Sequence, residues 1–222
     1  MKKNTLTILL IVLIAFTQSC KKDGASTPTI GTNSDYQPTT ANSFWKFKDS
    51  TTGLINTLTS VGTSKLINGE VYSVFSSASL LAGSSEGYFQ KKNKDYTFLN
   101  LFNVTGTSSG SNFAIKYLND SLPAGSKWDY TLGTLNGANT KATTTIKAKG
   151  GNLTVEGKTY ADIIHTQSDI LSDLSALSMG WVKVAQYDFY AAKGVGIVKI
   201  EINVLHPTPY RLVNNLTDFQ IK

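Results

Sequence analysis

Cysteine is all but missing from this chain: Cys20 is the only one in 222 residues. No intrachain disulfide can form, so burial alone must stabilise the fold, even in an oxidising compartment. Arginine is as scarce, with Arg211 the only one beside twenty lysines. Nucleic-acid surfaces favour arginine forks and clustered basic faces, so no nucleic-acid partner is expected. The formal net charge of +6 falls to +4 (6 − 2) once Lys2 and Lys3 of the N-terminal segment are set aside. That excess reads as a solvated lysine surface with some attraction to anionic headgroups or glycans. Histidine occurs twice, at His165 and His206, with no cysteine or His-x-Glu spacing, so no metal site is expected. His165, within Ile-Ile-His-Thr, reads as a half-buried structural histidine. The four glutamates and eleven aspartates are scattered and form no pair within a motif, so no acid–base dyad is visible.

Two fragments imitate catalytic motifs and fail on context. Gly83-Ser84-Ser85-Glu86-Gly87 satisfies Gly-x-Ser-x-Gly, but a nucleophile elbow needs a helix after it, and a polar loop between strands is expected here. Gly194-Val195-Gly196 begins like a dinucleotide fingerprint, but a strand follows and the third glycine is missing. No cofactor is implied, and the chain reads as a non-enzyme.

The organising stretch is the N-terminus. Met1-Lys2-Lys3 is followed by an apolar run from Leu6 to Phe16, broken only by Thr7, and then by Thr17-Gln18-Ser19-Cys20. A basic start, a short apolar run and a small residue at its end are the parts of a secretory signal. The run is too short to span a bilayer, which takes about 20 apolar residues. A lone cysteine where the signal ends resembles the lipobox of bacterial lipoproteins. Ser19 fits the position before the cysteine, whereas Thr17 and Gln18 depart from the usual leucine and small residue. The resemblance implies cleavage after residue 19, a lipid on Cys20 and a place in the cell envelope, on the outer membrane. Lys21-Lys22-Asp23 is a thin version of the charged signals that send some lipoproteins to the cell surface, and it leaves both faces of that membrane open. Residues 20–40 are rich in Gly, Pro, Ser and Thr without apolar period, so they read as anchor and flexible tether.

Residues 41–222 read as a single β domain in which Thr, Val, Ile, Tyr and Phe alternate with polar residues between Gly/Asn turns. The domain reads as two pseudo-repeats, about 41–105 and 120–222, joined near 106–110. Trp45 matches Trp128 within Ser-x-Trp-charged-aromatic, and both are expected to be core anchors. Leu66 to Tyr72 matches Thr154 to Tyr160, with Asn68-Gly69 and Glu156-Gly157 as two-residue hairpin turns. Tyr88 to Thr97 matches Phe189 to Val198. The shift between the copies grows along the chain, so the second carries an insertion. It is placed at 168–180, where Ile170, Leu171, Leu174 and Leu177 stand at helical spacing and Gly180 can end a helix. That helix either plugs a gap in the core or lids a ligand groove.

The run Asp188-Phe189-Tyr190-Ala191-Ala192-Lys193-Gly194-Val195-Gly196-Ile197-Val198-Lys199 resembles the closing hairpin of a class of Bacteroidota cell-envelope lipoproteins of unassigned function. The likeness covers 122–222 well and the first half faintly, and it implies a fold but no catalytic residue. Asp49-Ser50-Thr51 and Asp120-Ser121-Leu122 resemble the O-glycosylation acceptors of exported proteins from the same phylum, which makes Ser50 and Ser121 candidate acceptors at turns. The expected architecture is all-β: an antiparallel meander with two pseudo-repeats forming one curved sheet or open barrel, with one short covering helix. The expected function is a lipid-anchored binding or scaffolding module for a glycan or an envelope protein. The alternative is a carrier holding a lipid in a groove of the curved sheet.

Overall fold

The computed structural model describes residues 34–79, 83–99, 113–135 and 137–222. The signal segment, Cys20, most of the tether and the join at 106–110 lie outside the described residues. Fourteen strands follow: β1 (Phe44–Asp49), β2 (Ile55–Ile67), β3 (Glu70–Ser79), β4 (Gly83–Lys92), β5 (Asp95–Leu99), β6 (Ala114–Asn119) and β7 (Lys127–Leu135), then β8 (Ala138–Lys149), β9 (Leu153–Val155), β10 (Lys158–Tyr160), β11 (Ile163–Asp173), β12 (Trp181–Ala192), β13 (Gly196–Val204) and β14 (Tyr210–Gln220). Twelve of them form one sheet in the order β6-β5-β4-β3-β2-β1-β14-β13-β12-β11-β8-β7, while β9 and β10 pair apart as a small hairpin. Every neighbouring pair is antiparallel. The sheet is a meander in chain order whose first and last strands, β1 and β14, meet in the middle. It curls until it is nearly a closed barrel, open only between β6 and β7.

Side-chain chemistry seals that seam in place of a ladder. The Thr166 hydroxyl donates to the Tyr117 carbonyl at 2.6 Å, and the Trp128 indole N–H donates to the Lys116 carbonyl at 3.2 Å. Thr144 and Ser168 hydrogen-bond each other at 2.7 Å behind that contact. Buried hydroxyls on the inner face of β8 and β11 thus satisfy carbonyls of β6 that have no strand beside them. The space within is filled by aromatic rings. Phe75 packs edge-on to Phe89 at 4.8 Å between centroids, and Tyr117 lies against both Phe98 and Phe189. All five are buried.

Because all the ladders are antiparallel, successive connections alternate between the two ends of the barrel. The proximal end is the one at which Ser34 joins the domain. It carries the turns β2–β3, β4–β5 and β12–β13, the loop 120–126 and the β9–β10 hairpin. The distal end carries 50–54, 174–180 and 205–209.

Both predicted two-residue turns form with positive φ at both positions: Asn68 51° and Gly69 81°, Glu156 47° and Gly157 76°. They are the left-handed pairs that suit the twist of a hairpin. The Gly-Val-Gly turn between β12 and β13 is where the N-terminal segment docks. The Gly194 N–H donates to the Asp35 carbonyl at 2.8 Å, and the Trp45 indole donates to the Val195 carbonyl at 2.6 Å. A Cβ on Gly196, whose φ is +105°, would meet Gln37 Oε1 at 3.1 Å.

Four expectations are corrected. No helix spans 168–180: Ser168 to Asp173 belong to β11, and only Ser175–Leu177 makes a 3-10 turn. Ile164, Thr166, Ser168, Ile170 and Ser172 alternate inward, and pairing on both sides, with β8 and β12, fixes them as strand. The extra element of the second half is the β9–β10 hairpin, so 154–160 stands outside the main sheet where its counterpart, the β2–β3 turn, lies within it. The two tryptophans differ, since Trp45 is 1% exposed whereas Trp128, on the edge strand β7, is only partly buried. Finally, Tyr36, Gln37 and Pro38, placed in the tether, are buried. Tyr36 packs edge-on to Tyr96 at 6.4 Å and stoppers the proximal end.

Candidate functional site

An open polar cleft of about 350 Å³ lies at the proximal end. The joining segment supplies Asp35 and Tyr36, the β4–β5 turn Lys91 and Lys94, and the loop after β6 Asp120 and Ser121; Lys149 ends β8 and Lys193 sits in the β12–β13 turn. Four ammonium groups thus face two carboxylates. Lys91 is paired with Asp35, and Lys94 stands 3.9 Å from Asp120. Lys149 donates to the carbonyls of Asp120 (2.7 Å) and Leu122 (3.1 Å), which hold it in place without cancelling its charge. Lys193 makes no ion pair among the described residues.

Beneath the cleft the tyrosine hydroxyls remain protonated. Burial pushes the Tyr96 phenol up to about 12, and it donates to Asp120 Oδ2 at 3.0 Å. Burial also works against the charge on Lys91, but hydrogen bonds to Asp35 and Tyr96 outweigh it and raise the lysine above its ordinary value. The floor is neutral and the rim cationic, an arrangement suited to an anion. Within this lining no hydroxyl or amine is held by a neighbouring base as a nucleophile would be.

A second polar cluster lies on the outer face of β11–β14. The His165 Nε2 donates to Asp188 Oδ1 at 2.8 Å, and Gln186 donates to Asp188 Oδ2 at 2.8 Å. The His165 ring stacks on Tyr190 at 4.2 Å and 9°, and Lys199 lies 5.3 Å from the centre of the same ring. Burial pushes the Asp188 carboxyl up, but the hydrogen bonds from His165, Gln186 and Gln167 outweigh it and leave the carboxyl below its ordinary value. Both faces of Tyr190 are occupied and the His165 Nε2 is spent on Asp188. This cluster therefore clamps strands together and offers no surface to a sugar ring.

The residues singled out from sequence do not converge. Ile170 is 5% exposed and points into the core, Leu171 and Leu174 are half-buried, and Leu177 is 68% exposed. They do not form one stripe, so the lid reading falls with the helix. The apolar-lined hollow under Trp45, Phe47, Leu58 and Phe89 holds about 10 Å³, where ligand pockets take several hundred. A groove for a lipid chain is therefore not found among the described residues. Ser50 and Ser121 are both exposed at turns. The Ser121 hydroxyl donates to Asn119, and Ser50 Oγ accepts from Asn215. Gly83-Ser84-Ser85-Glu86-Gly87 lies inside β4 and not in a loop, which removes the elbow. His165 is half-buried, as expected, but its partner Asp188 had no signal in sequence.

The cleft lysines were missed as a set. Their signal was positional: Lys91-Lys92-Asn93-Lys94, Lys149-Gly150 and Lys193-Gly194 all sit at turns, and every second turn of a meander lies at the same end.

No known protein family's profile matches this chain, and no curated protein matches it. Two solved structures do. A candidate lipoprotein of Parabacteroides distasonis superposes with a TM-score of 0.51 at 11% identity, over 86% of this chain and 100% of its own. A candidate exported protein of Bacteroides fragilis with a YmcC-like fold gives a TM-score of 0.49 at 9% identity, over 83% of this chain and 98% of its own. The first of these likenesses shows that the nearly closed antiparallel barrel is a fold this chain shares with a solved protein.

Proposed function

We propose that the protein is an envelope lipoprotein, held at the outer membrane by lipid on Cys20, that works as a binding module with the proximal cleft as its binding surface. One observation carries the reading: four lysines from three connections of the meander converge on one open cleft against only two carboxylates. Exposed like charges placed around a concavity attract an anion, and they do so more strongly at low salt. The occupant is an anionic group such as the carboxylate, sulfate or phosphate of an envelope glycan or headgroup. The filled interior supports this reading over the carriage of a hydrophobic ligand.

Calorimetric titration tests it with an oligosaccharide of glucuronic acid and, as a control, an uncharged oligosaccharide of the same length. The acidic sugar or inorganic phosphate should bind and the uncharged sugar should not. Lys94→Glu with Lys193→Glu should weaken the interaction at least tenfold, about 1.4 kcal/mol. Equal binding by wild type and variant, or binding of the uncharged sugar alone, refutes the assignment of the cleft.

A further inference from the structure

We infer that the proximal end is a membrane-docking face, and that the anionic group taken by the cleft is the phosphate of lipids in the membrane that holds the chain. This rests on the cleft reading above and names its partner.

The turns at the two ends differ in cations. Lys94, Lys193 and, in the β9–β10 hairpin, Lys158 stand at proximal connections, whereas the distal turns 50–54, 174–180 and 205–209 contain no lysine or arginine. Strand ends carry cations at both ends, with Lys48, Lys141, Lys183 and Arg211 on the distal side. What sets the proximal end apart is the convergence of four lysines on one cleft, which suits an anionic surface lying against it.

The chain also leaves from this end. Ser34 lines the cleft and stands fourteen residues after Cys20 (34 − 20). Fourteen residues reach at most about 50 Å whatever their conformation, so a surface that holds Cys20 stays within reach of the lysines.

An apolar tip completes the face. β2 continues eight residues past its last β1 partner, Thr59 (67 − 59), so the β2–β3 hairpin projects from the proximal end. There the cross-strand pair Leu66 and Val71 is exposed, at 69% and 59%. Lys65 and Lys92 lie on the other face of these strands and are ion-paired with Glu86 and Glu70, so the cations of this end are those of the cleft. Exposed aliphatics at the same end as a lysine-lined cleft suit an interfacial membrane contact: the apolar side chains enter the acyl boundary and the cleft ammonium groups meet phosphates.

The competing face is distal, where Leu177 and Met179 are exposed in the turn and Trp181 at the start of β12, with the Lys141 ammonium 4.3 Å from the centre of the Trp181 ring. It lies away from the cleft and from the point where the chain joins. Trp181, one of three tryptophans, makes the two faces distinguishable, because quenching that disappears in Trp181→Phe reports the distal end.

The test uses residues 20–222 with Cys20→Ser, so that no lipid anchor contributes. This protein should co-sediment with phosphatidylglycerol–phosphatidylethanolamine vesicles and not with phosphatidylcholine vesicles, and brominated lipid should leave the Trp181 emission unquenched. Lys94→Gln with Lys193→Gln should weaken vesicle binding about 25-fold, at about fivefold per lysine. Leu66→Ser with Val71→Ser should weaken it about tenfold and leave its salt dependence unchanged. All four positions are exposed, and unchanged circular dichroism confirms that each variant is folded. Quenching of Trp181 overturns the inference, because the distal turn would then be the inserted part. Full vesicle affinity in both double variants overturns it as well. If vesicles fail to bind while the acidic oligosaccharide still does, docking is refuted and the cleft reading stands. If neither binds, both are refuted.

Discussion

Replacing Trp45 with alanine probes the centre of the fold. Trp45 is 1% exposed, sits on β1, one of the two strands whose pairing joins the halves of the sheet, and packs on Phe75 at 5.7 Å. Truncating a buried indole costs about 3–5 kcal/mol in transfer and cavity terms. The Val195 carbonyl, which accepts from the indole at 2.6 Å, would also be left without its donor, at about 1–3 kcal/mol if water cannot reach it. Trp45→Phe separates the two effects: it keeps most of the packing and loses the hydrogen bond, so it should cost about 1–3 kcal/mol. Trp128→Ala, on a half-buried edge-strand position, should cost roughly half as much as Trp45→Ala. Urea titrations followed by far-ultraviolet circular dichroism give all three values. In thermal melts Trp45→Ala should fall by about 8–32 °C for the combined loss of about 4–8 kcal/mol, at 2–4 °C per kcal/mol for a domain of this size. Equal losses at Trp45 and Trp128, or a near-native Trp45→Ala, would refute the placement of Trp45 as the anchor that ties the β1–β14 junction to the β12–β13 turn.

Three further outcomes are expected. Ile170→Ala should lower stability by about 2–5 kcal/mol and Leu177→Ala by less than about 0.5 kcal/mol; similar large losses at both would restore a buried helix at 168–180. Asp188 has a folded-state pKa below its ordinary value, so its contribution is complete above the aspartate range near pH 4 and is lost as the pH falls through the lower folded-state value. Asp188→Asn should therefore reduce stability at neutral pH by about 1.5–3 kcal/mol and flatten the acid limb, and an unchanged limb in pH-dependent urea titrations would count against the clamp. Cys20→Ser should move the protein from the membrane to the soluble fraction when cell membranes are washed at high salt, which screens the lysine contacts, and unaltered fractionation under that wash would remove the lipid anchor.

What the sequence by itself determined was local. Alternating Thr, Val, Ile, Tyr and Phe made strands, since only the extended chain puts every second side chain on one face. Asn68-Gly69 and Glu156-Gly157 made hairpins, because a two-residue turn demands positive φ. Tertiary structure decided the rest. Ile170, Leu171, Leu174 and Leu177 satisfy a helical period, but Ser168 and Ser172 are buried beside Ile170 because Thr144 and Thr140 lie across from their hydroxyls. A pattern scored on apolar residues cannot see an inner face made partly of hydroxyls. Asp188 met His165 only when β11 paired with β12, 23 residues apart (188 − 165). The cleft lysines, from Lys91 to Lys193, met only because a meander returns to the same end at every second turn. Charge count was readable along the chain, but the meeting of four lysines at one cleft followed from the curl of the sheet.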